Sequence, residues 1–521
     1  MKPIGPLLIC AAALALPGCG TEEPPEAPIT ISQTAGPDHL DPALAARISG
    51  REPLWLVYTP LLSYRHAEGE RGAELIPGLA SDLPEISADG RTYTLALRED
   101  IQYSDGTPVR ASDFEHAIAR VLYLGSAGAH FYEGIAGARE YERGGDPERQ
   151  IEGIEADDET GEITITLTAP DPGFADALAL TFAGLVPAQT PFRDLSAEPP
   201  PGVGPYEITE TDTDGGFVLS RSPNFGELDI PDIPTGNIAE ITTRVIPSRK
   251  RQAEDVLDGK LDYMQDPPPA ALVPTIVEQA GDRFITQATP ATTYFFLDKR
   301  LAPFDDPLVR EAVNRGLDRA ALARLYGGRM EPGCALLAPG VPGYDRGLDT
   351  TDCPYGDPSE SPDISTARAL IEQAGAAGAK LTIAAGAGPE ARAATRAYAA
   401  GLSTLGLDPA LRRCASCAQT GLRSWAAGFP RALGFFASLG LEDPLVTSEV
   451  DRLGAGGGLD PAADDWSKLD SYVISPPQSY VAVLGHPTVH TFLSERIDPE
   501  SAVFHPVYGN DYSNWQLREG E

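Results

Sequence analysis

Tyr93 to Ile118 reads YTLALREDIQYSDGTPVRASDFEHAI, and within it the hydrophobic period changes from two to about 3.6. Tyr93, Leu95 and Leu97 alternate with polar neighbours, which predicts a half-buried strand. Ser104-Asp105-Gly106 supplies a turn. Ser112 with Glu115 three residues on has the form of a capping box. Phe114, Ile118, Val121 and Leu122 recur behind it at helical spacing, so a helix is expected to start there. Downstream, Asp157-Asp158-Glu159-Thr160-Gly161 separates two alternating runs between Ile151 and Leu167, the pattern of a hairpin.

Further along, the pattern becomes that of an α/β layer. Asp306 is placed to cap a helix with Pro307 at its first position and Val309, Val313 and Leu317 on its buried side. Asp318 is placed to cap the next helix, which should stop at Gly327-Gly328. Thr366 to Gln373 reads as a helix, Leu381 to Ile383 as a strand, Glu390 to Leu405 as a helix, and the run around Leu411 as a strand. That order is the βαβ type. No repeat of 20–50 residues is present, which argues against solenoids and propellers.

The chain has 521 residues, 76 Asp+Glu against 40 Lys+Arg and a net charge of −36, with 42% hydrophobic residues. That is enough apolar content for real cores in two to four domains or lobes. The acidic surface disfavours nucleic acid, which needs Lys and Arg to release phosphate counterions. At the N-terminus, Leu7 to Leu16 is too short an apolar run to span a bilayer and reads as the core of a secretory signal, residues 1–18. Leu16-Pro17-Gly18-Cys19 resembles the bacterial lipobox, which implies lipidation of Cys19, and residues 19–28 read as an acidic, Pro-rich tether. With Cys10 removed and Cys19 lipidated, Cys334, Cys353, Cys414 and Cys417 remain, an even number in an exported chain. Proximity favours the pairs Cys334–Cys353 and Cys414–Cys417. A zinc site and a thioredoxin-like role for Cys414-Ala-Ser-Cys417 are the alternatives.

Several segments in this order resemble the family 5 solute-binding proteins, the peptide-binding lipoproteins of ABC importers. They are Leu40-Asp41-Pro42 with Tyr58 to Leu62, the Tyr93–Ile118 block, Gly202 to Tyr206, Arg221 to Phe225, and Asp258 to Asp262. Phe304 to Arg319, Pro339 to Tyr344 and Thr366 to Gly375 complete the set. The resemblance implies an α/β, type II periplasmic-binding-protein fold with two lobes and an inserted subdomain. Lobe I would comprise residues 29–60, 186–275 and 490–521, the inserted subdomain 61–185, and lobe II 276–489. The ligand would lie between lobes that close on it.

The same resemblance directs attention to Trp425-Ala426-Ala427-Gly428-Phe429-Pro430-Arg431, where peptide binders carry an Asp that pairs with the peptide ammonium. Gly428 stands at that position, and since a buried unpaired ammonium is costly, either another acid supplies the charge or the ligand lacks that amine, the second being the expectation here. Arg423 and Arg431 are then expected either to face a ligand carboxylate or phosphate, or to be solvated surface residues. Trp425 is either a cleft platform or lobe II core. Tyr294 and Asp298 lie on a strand at the implied cleft edge, Asp298 answering a cation or pairing with Lys299 or Arg300. Tyr58 is a further cleft candidate.

The sequence contains no G-x-S-x-G elbow, HExxH or P-loop. Pro487 speaks against a helical metal pair of His486 and His490, and His505 reads as packed. The expected protein is no enzyme and needs no cofactor or metal. It is a monomer, anchored outside the cytoplasm to a bacterial membrane by lipid, that carries a peptide-like or other small polar solute to an ABC importer permease. An orphan sensor or interaction module and a secreted hydrolase are the rival readings.

Overall fold

The structure is a computed structural model that describes residues 28–141, 146, 147, 149–413, 417–426, 428–454 and 462–518. The expected signal segment, Cys19, the expected tether up to residue 27 and Cys414 lie outside the described residues, and with Cys414 the expected Cys414–Cys417 pair. The N-terminal strand Ile29–Gln33 lies between two parallel neighbours, Glu240–Val245 and Tyr263–Met264. Phe217–Arg221 and Tyr206–Thr211 continue that sheet as an antiparallel meander, giving five strands. Parallel pairing across more than two hundred residues needs a long crossover, and the crossover here holds an inserted sheet. In it, Thr92–Ala96 and Glu162–Thr166 run antiparallel, with Tyr93 opposite Ile165 and Leu95 opposite Ile163. All four side chains are buried, and Phe114, Ile118, Val121 and Leu122 of the helix Ser112–Tyr123 join the same core.

The start of that helix differs from the capping box expected. Ala111 is the N-cap and makes no side-chain cap. The Ser112 N–H and hydroxyl instead donate to Asp158 in the hairpin turn at 2.9 and 3.0 Å, and the Glu115 carboxylate accepts from the Ile151 N–H at 2.7 Å. Competing acceptors from the hairpin therefore use the groups that would have closed the box.

The C-terminal half is built on a seven-stranded sheet that runs Phe284–Ala288, Val481–Phe492, Ala291–Leu297, Thr420–Ala426, Lys380–Ala384, Asp408–Arg412, with Met330–Pro332 on the flank of Val481–Phe492. Lys380–Ala384, the helix Pro389–Thr404 and Asp408–Arg412 form the expected βαβ unit with parallel strands. Helices cover both faces, as a sheet with parallel strands requires. Phe295 points into a core with Val309, Val313 and Tyr398, and its neighbour Tyr294 points into another with Phe435, Phe436 and Trp466. Asp306 and Asp318 cap Pro307–Arg315 and Arg319–Arg324 as the sequence indicated, accepting from the N–H groups of Leu308 and Ala321. The second helix ends at Arg324, ahead of Gly327-Gly328, which both take positive φ.

Val481–Phe492 links the two halves. Its first residues pair with Ala291–Leu297 and its last with Phe284–Ala288, and Leu493 bridges Tyr263 of the five-stranded sheet. Gly485 sits at the changeover with φ +152, where a Cβ would fall 1.9 Å from the Glu331 carbonyl oxygen. Only glycine fits that close approach. The molecule is thus two-lobed α/β with an inserted subdomain. Cys334 and Cys353 form the expected disulfide. Among the described residues no helix is long and apolar enough to cross a membrane.

Candidate functional site

The strand Thr420–Ala426 leaves the seven-stranded sheet and turns through Gly428–Arg431, and the helix Ala432–Leu439 runs back. This turn meets the inserted part of the chain. Phe429 packs 5.0 Å from the Phe131 ring, and a Cβ at Gly173 would touch Phe429 at 3.5 Å. Beside that contact is a cavity of about 420 Å³. Trp425, Leu433, Leu453 and Trp466 line it from one half, and Asp171 and Pro172 from the other. Trp425 is half-buried, with Phe435 beneath it at 3.4 Å, so it packs on the core and also lines the cavity. A Cβ at Gly434 would press to 3.2 Å on the Trp425 ring. Gly428 is exposed, with nothing within 4 Å of where its Cβ would stand, and it brings no charge.

Arg431 lines the same cavity and is not a solvated surface residue, because a carboxylate of the protein itself engages it. Its Nε donates to both oxygens of Asp176 at 2.9 Å, and the Tyr64 hydroxyl donates to the same carboxylate at 2.8 Å. The Asp176 side chain is 0% exposed and that of Arg431 15%. Burial pushes the Asp176 carboxyl upward, and the Arg431 guanidinium beside it opposes the shift. Asp176 was missed from sequence, although an acid inside the apolar run Phe174-Ala175-Asp176-Ala177-Leu178 was the available signal. Its partner lies 255 residues away.

The remaining sequence-named residues lie elsewhere. Tyr294, Asp298 and Arg423 come together in a second cavity of about 210 Å³, toward the other end of the same strand and helix, where Ala418, Leu439 and Gly440 also line it. There Arg300 holds Asp298 through two bonds of 2.9 and 3.0 Å and keeps its carboxyl below the usual range. Tyr58 lines neither cavity. It is wholly buried, and its hydroxyl donates to the Pro200 carbonyl at 2.6 Å. A third cavity of about 320 Å³ lies beside the linking strands, between Ile48 and Glu52 of the N-terminal part and Arg329 and His490 of the C-terminal half. Sequence reasoning named none of those four for a cleft. Burial raises the Glu52 carboxyl to about 7, against hydrogen bonds from Tyr512, Gln265 and Asn510. His486 and His490 lie on one extended strand, too far apart to share an ion, and the described residues hold no cluster of three or more metal-ligating side chains.

The family model of the bacterial extracellular solute-binding proteins, family 5 (middle), matches residues 74–435. The dipeptide-binding protein DppE of Bacillus subtilis is 25% identical over 302 residues, 55% of this chain and 52% of its own length. The periplasmic oligopeptide-binding protein OppA of Escherichia coli is 28% identical over 252 residues, 47% of this chain and 45% of its own. The chain thus spans about half the length of the curated relatives it matches. Among solved structures, the unliganded open form of the periplasmic murein tripeptide-binding protein MppA aligns with a TM-score of 0.78 at 18% identity, covering 94% of this chain and 97% of that one.

Proposed function

We propose that this chain, which belongs to the bacterial extracellular solute-binding proteins of family 5, captures a small organic solute between its two halves for delivery to an ABC importer permease. The observation that carries this reading is the 420 Å³ cavity, walled by Trp425, Trp466 and Leu433 on one side and Asp171 and Pro172 on the other. A solute held there touches both halves and favours the state in which they are closest, since a ligand shifts a conformational equilibrium by its differential contacts. In this reading Cys19 carries lipid and the chain works as an anchored monomer outside the cytoplasm. Lobe II spans about 276–489, and the other boundaries are as given above.

The solute class follows from charge. Gly428 offers no carboxylate, and Asp176 is already neutralised by Arg431. The acid that remains in the lining, Asp171, stands on the opposite wall with one oxygen engaged by the Gly173 N–H, so an ammonium beside Trp425 and Gly428 would lose its water without gaining a counter-ion there. The apolar walls instead suit a bulky apolar group on a peptide-like solute whose amine is blocked or absent. Native mass spectrometry of the purified protein, followed by thermal shift and calorimetry with matched free and N-acetylated peptides, tests both parts. We expect the blocked series to bind at least tenfold tighter, and a ligand at 100 times its Kd to stabilise by about 2.7 kcal/mol. A tenfold preference for free amines would overturn the class. Silence across a broad panel would overturn solute capture and favour the sensor or interaction-module reading.

A further inference from the structure

The second cavity, lined by Tyr294, Asp298 and Arg423, lies at Leu439 and Gly440, the end of the helix Ala432–Leu439 opposite to the one that lines the first. Five charged side chains surround it: Lys299, Arg300 and Arg423 against Asp298 and Glu442. The acids are not free. Arg300 holds Asp298 at 2.9 Å and stands 3.6 Å from Glu442. Lys299 Nζ donates to the Glu442 carbonyl at 2.8 Å and lies 4.5 Å over the Tyr480 ring. Among the described residues, neither Lys299 nor Arg423 has a carboxylate within ion-pair distance. Asp443, bonded by the Tyr480 hydroxyl, answers Lys299 from just beyond the cavity, so Arg423 is the cation here left without an acid, in a chain whose net charge is −36.

Arg423 is also oriented. Its guanidinium lies 4.5 Å over the Phe296 ring, beside the buried Tyr294, which faces it across the strand pair. An aromatic face beneath a guanidinium fixes its plane and leaves N–H edges in the plane for a bidentate acceptor. From this arrangement we infer a second binding site, in which Arg423 takes a small oxyanion, a carboxylate or a phosphate, with the remaining Lys299 donors completing its coordination. The site is independent of solute capture in the first cavity.

Carboxylate and phosphate sources are separated by titrating the full mature chain with succinate and with inorganic phosphate, each against sodium chloride of equal ionic strength. Melting temperature and calorimetry are the readouts. The expected result is a saturable stabilisation by one of the two anions, at least tenfold weaker in Arg423→Gln and weakened in Lys299→Gln. Response to succinate alone assigns a carboxylate ligand, and response to phosphate alone a phosphoryl one. Arg300→Gln releases Asp298 and Glu442 into the cavity and should weaken either anion. Arg423 is exposed, so its replacement leaves the fold intact. No saturable effect beyond that of chloride, or an effect undiminished in both Arg423→Gln and Lys299→Gln, overturns the inference.

Discussion

His505 is wholly buried against Trp55, Tyr64 and Tyr508, and its Nδ1 accepts from the N–H groups of Val507 and Tyr508 at 3.1 Å each. Protonating that nitrogen would break both bonds and put a charge in the core, beside His66. Burial first, and His66 second, push its pKa down from 6.5 to about 3. A folded pKa below the unfolded one means the native state binds fewer protons between those values. The stability His505 contributes is therefore complete above about pH 6.5 and is lost as pH falls toward about 3. In His505→Asn the carboxamide oxygen can take the place of Nδ1 and cannot titrate. Urea unfolding at pH 7, 6, 5 and 4 should show the variant less stable at pH 7 but with an acid slope shallower by up to about 1.4 kcal/mol per pH unit. Parallel slopes would mean that His505 does not carry the acid sensitivity. Glu52 and Asp470, both raised to about 7 mainly by burial, act with the opposite sign, since they cost stability as pH rises from about 4.5 or 3.8 toward 7. The comparison between variant and parent at each pH cancels them.

The loop from Cys334 to Cys353 is tied at several points besides its disulfide. Asp349 accepts from the N–H groups of Cys334 and Ala335, and Asp470 of the helix Ala463–Ile474 from those of Leu336 and Leu337. Pro342 of this loop lines the cavity beside Trp425. Closing a loop of 19 residues restrains the unfolded chain by about 3 kcal/mol. The double variant Cys334→Ser/Cys353→Ser should lose about that much in urea unfolding while the Asp470 anchors keep the loop in place. Ligand affinity should then change less than tenfold by calorimetry, and a larger loss would mean that the disulfide alone shapes the cavity wall. Elements of this kind were readable in proportion to how local their causes are. The caps at Asp306 and Asp318 need only a side chain and an N–H two or three residues on, and both hold. The box at Ser112 failed because Asp158, 46 residues on, competes for the same groups. The βαβ unit follows from periodicity alone, and the turn at Gly428 was located by resemblance. Tyr58 was misplaced because its burial depends on Gly184 and Gly202, which pack against its ring from distant segments. The cavity around Gly428 could not be seen in sequence either, because Asp171 and Pro172 reach it only through the fold.

At the scale of the whole molecule, the cores of the two halves are separate clusters. Leu61, Tyr93 and Phe174 belong to one, and Tyr294, Phe435 and Trp466 to another. Besides the linking strands, the halves meet at Gly340, which lies against Gly69 and Pro506, and at the turn where Phe429 packs on Phe131 and Arg431 reaches the Asp176 carboxylate that Tyr64 also bonds. On this face of the junction the Arg431–Asp176 ion pair carries the charge, while Arg283–Glu495 and Arg518–Asp282 lie near the linking strands. The buried Asp176 carboxylate sets the energetics of the pair. Removing Arg431 leaves Asp176 without compensation in a site with no exposure, a defect worth about 3–5 kcal/mol, whereas replacing both partners by apolar groups of similar volume is often near neutral. Arg431→Met alone should therefore lower stability by about that amount, and Arg431→Met/Asp176→Leu should recover most of it. Because the partners sit in different halves, the single variant should also uncouple them. Calorimetry should resolve two transitions in place of one, and solution scattering should give a larger radius of gyration without ligand. A double variant with a single transition and the parental radius would assign the coupling to packing around Phe429. A single variant that costs under about 1 kcal/mol and leaves the radius unchanged would show that the halves are held at this face by something other than the pair.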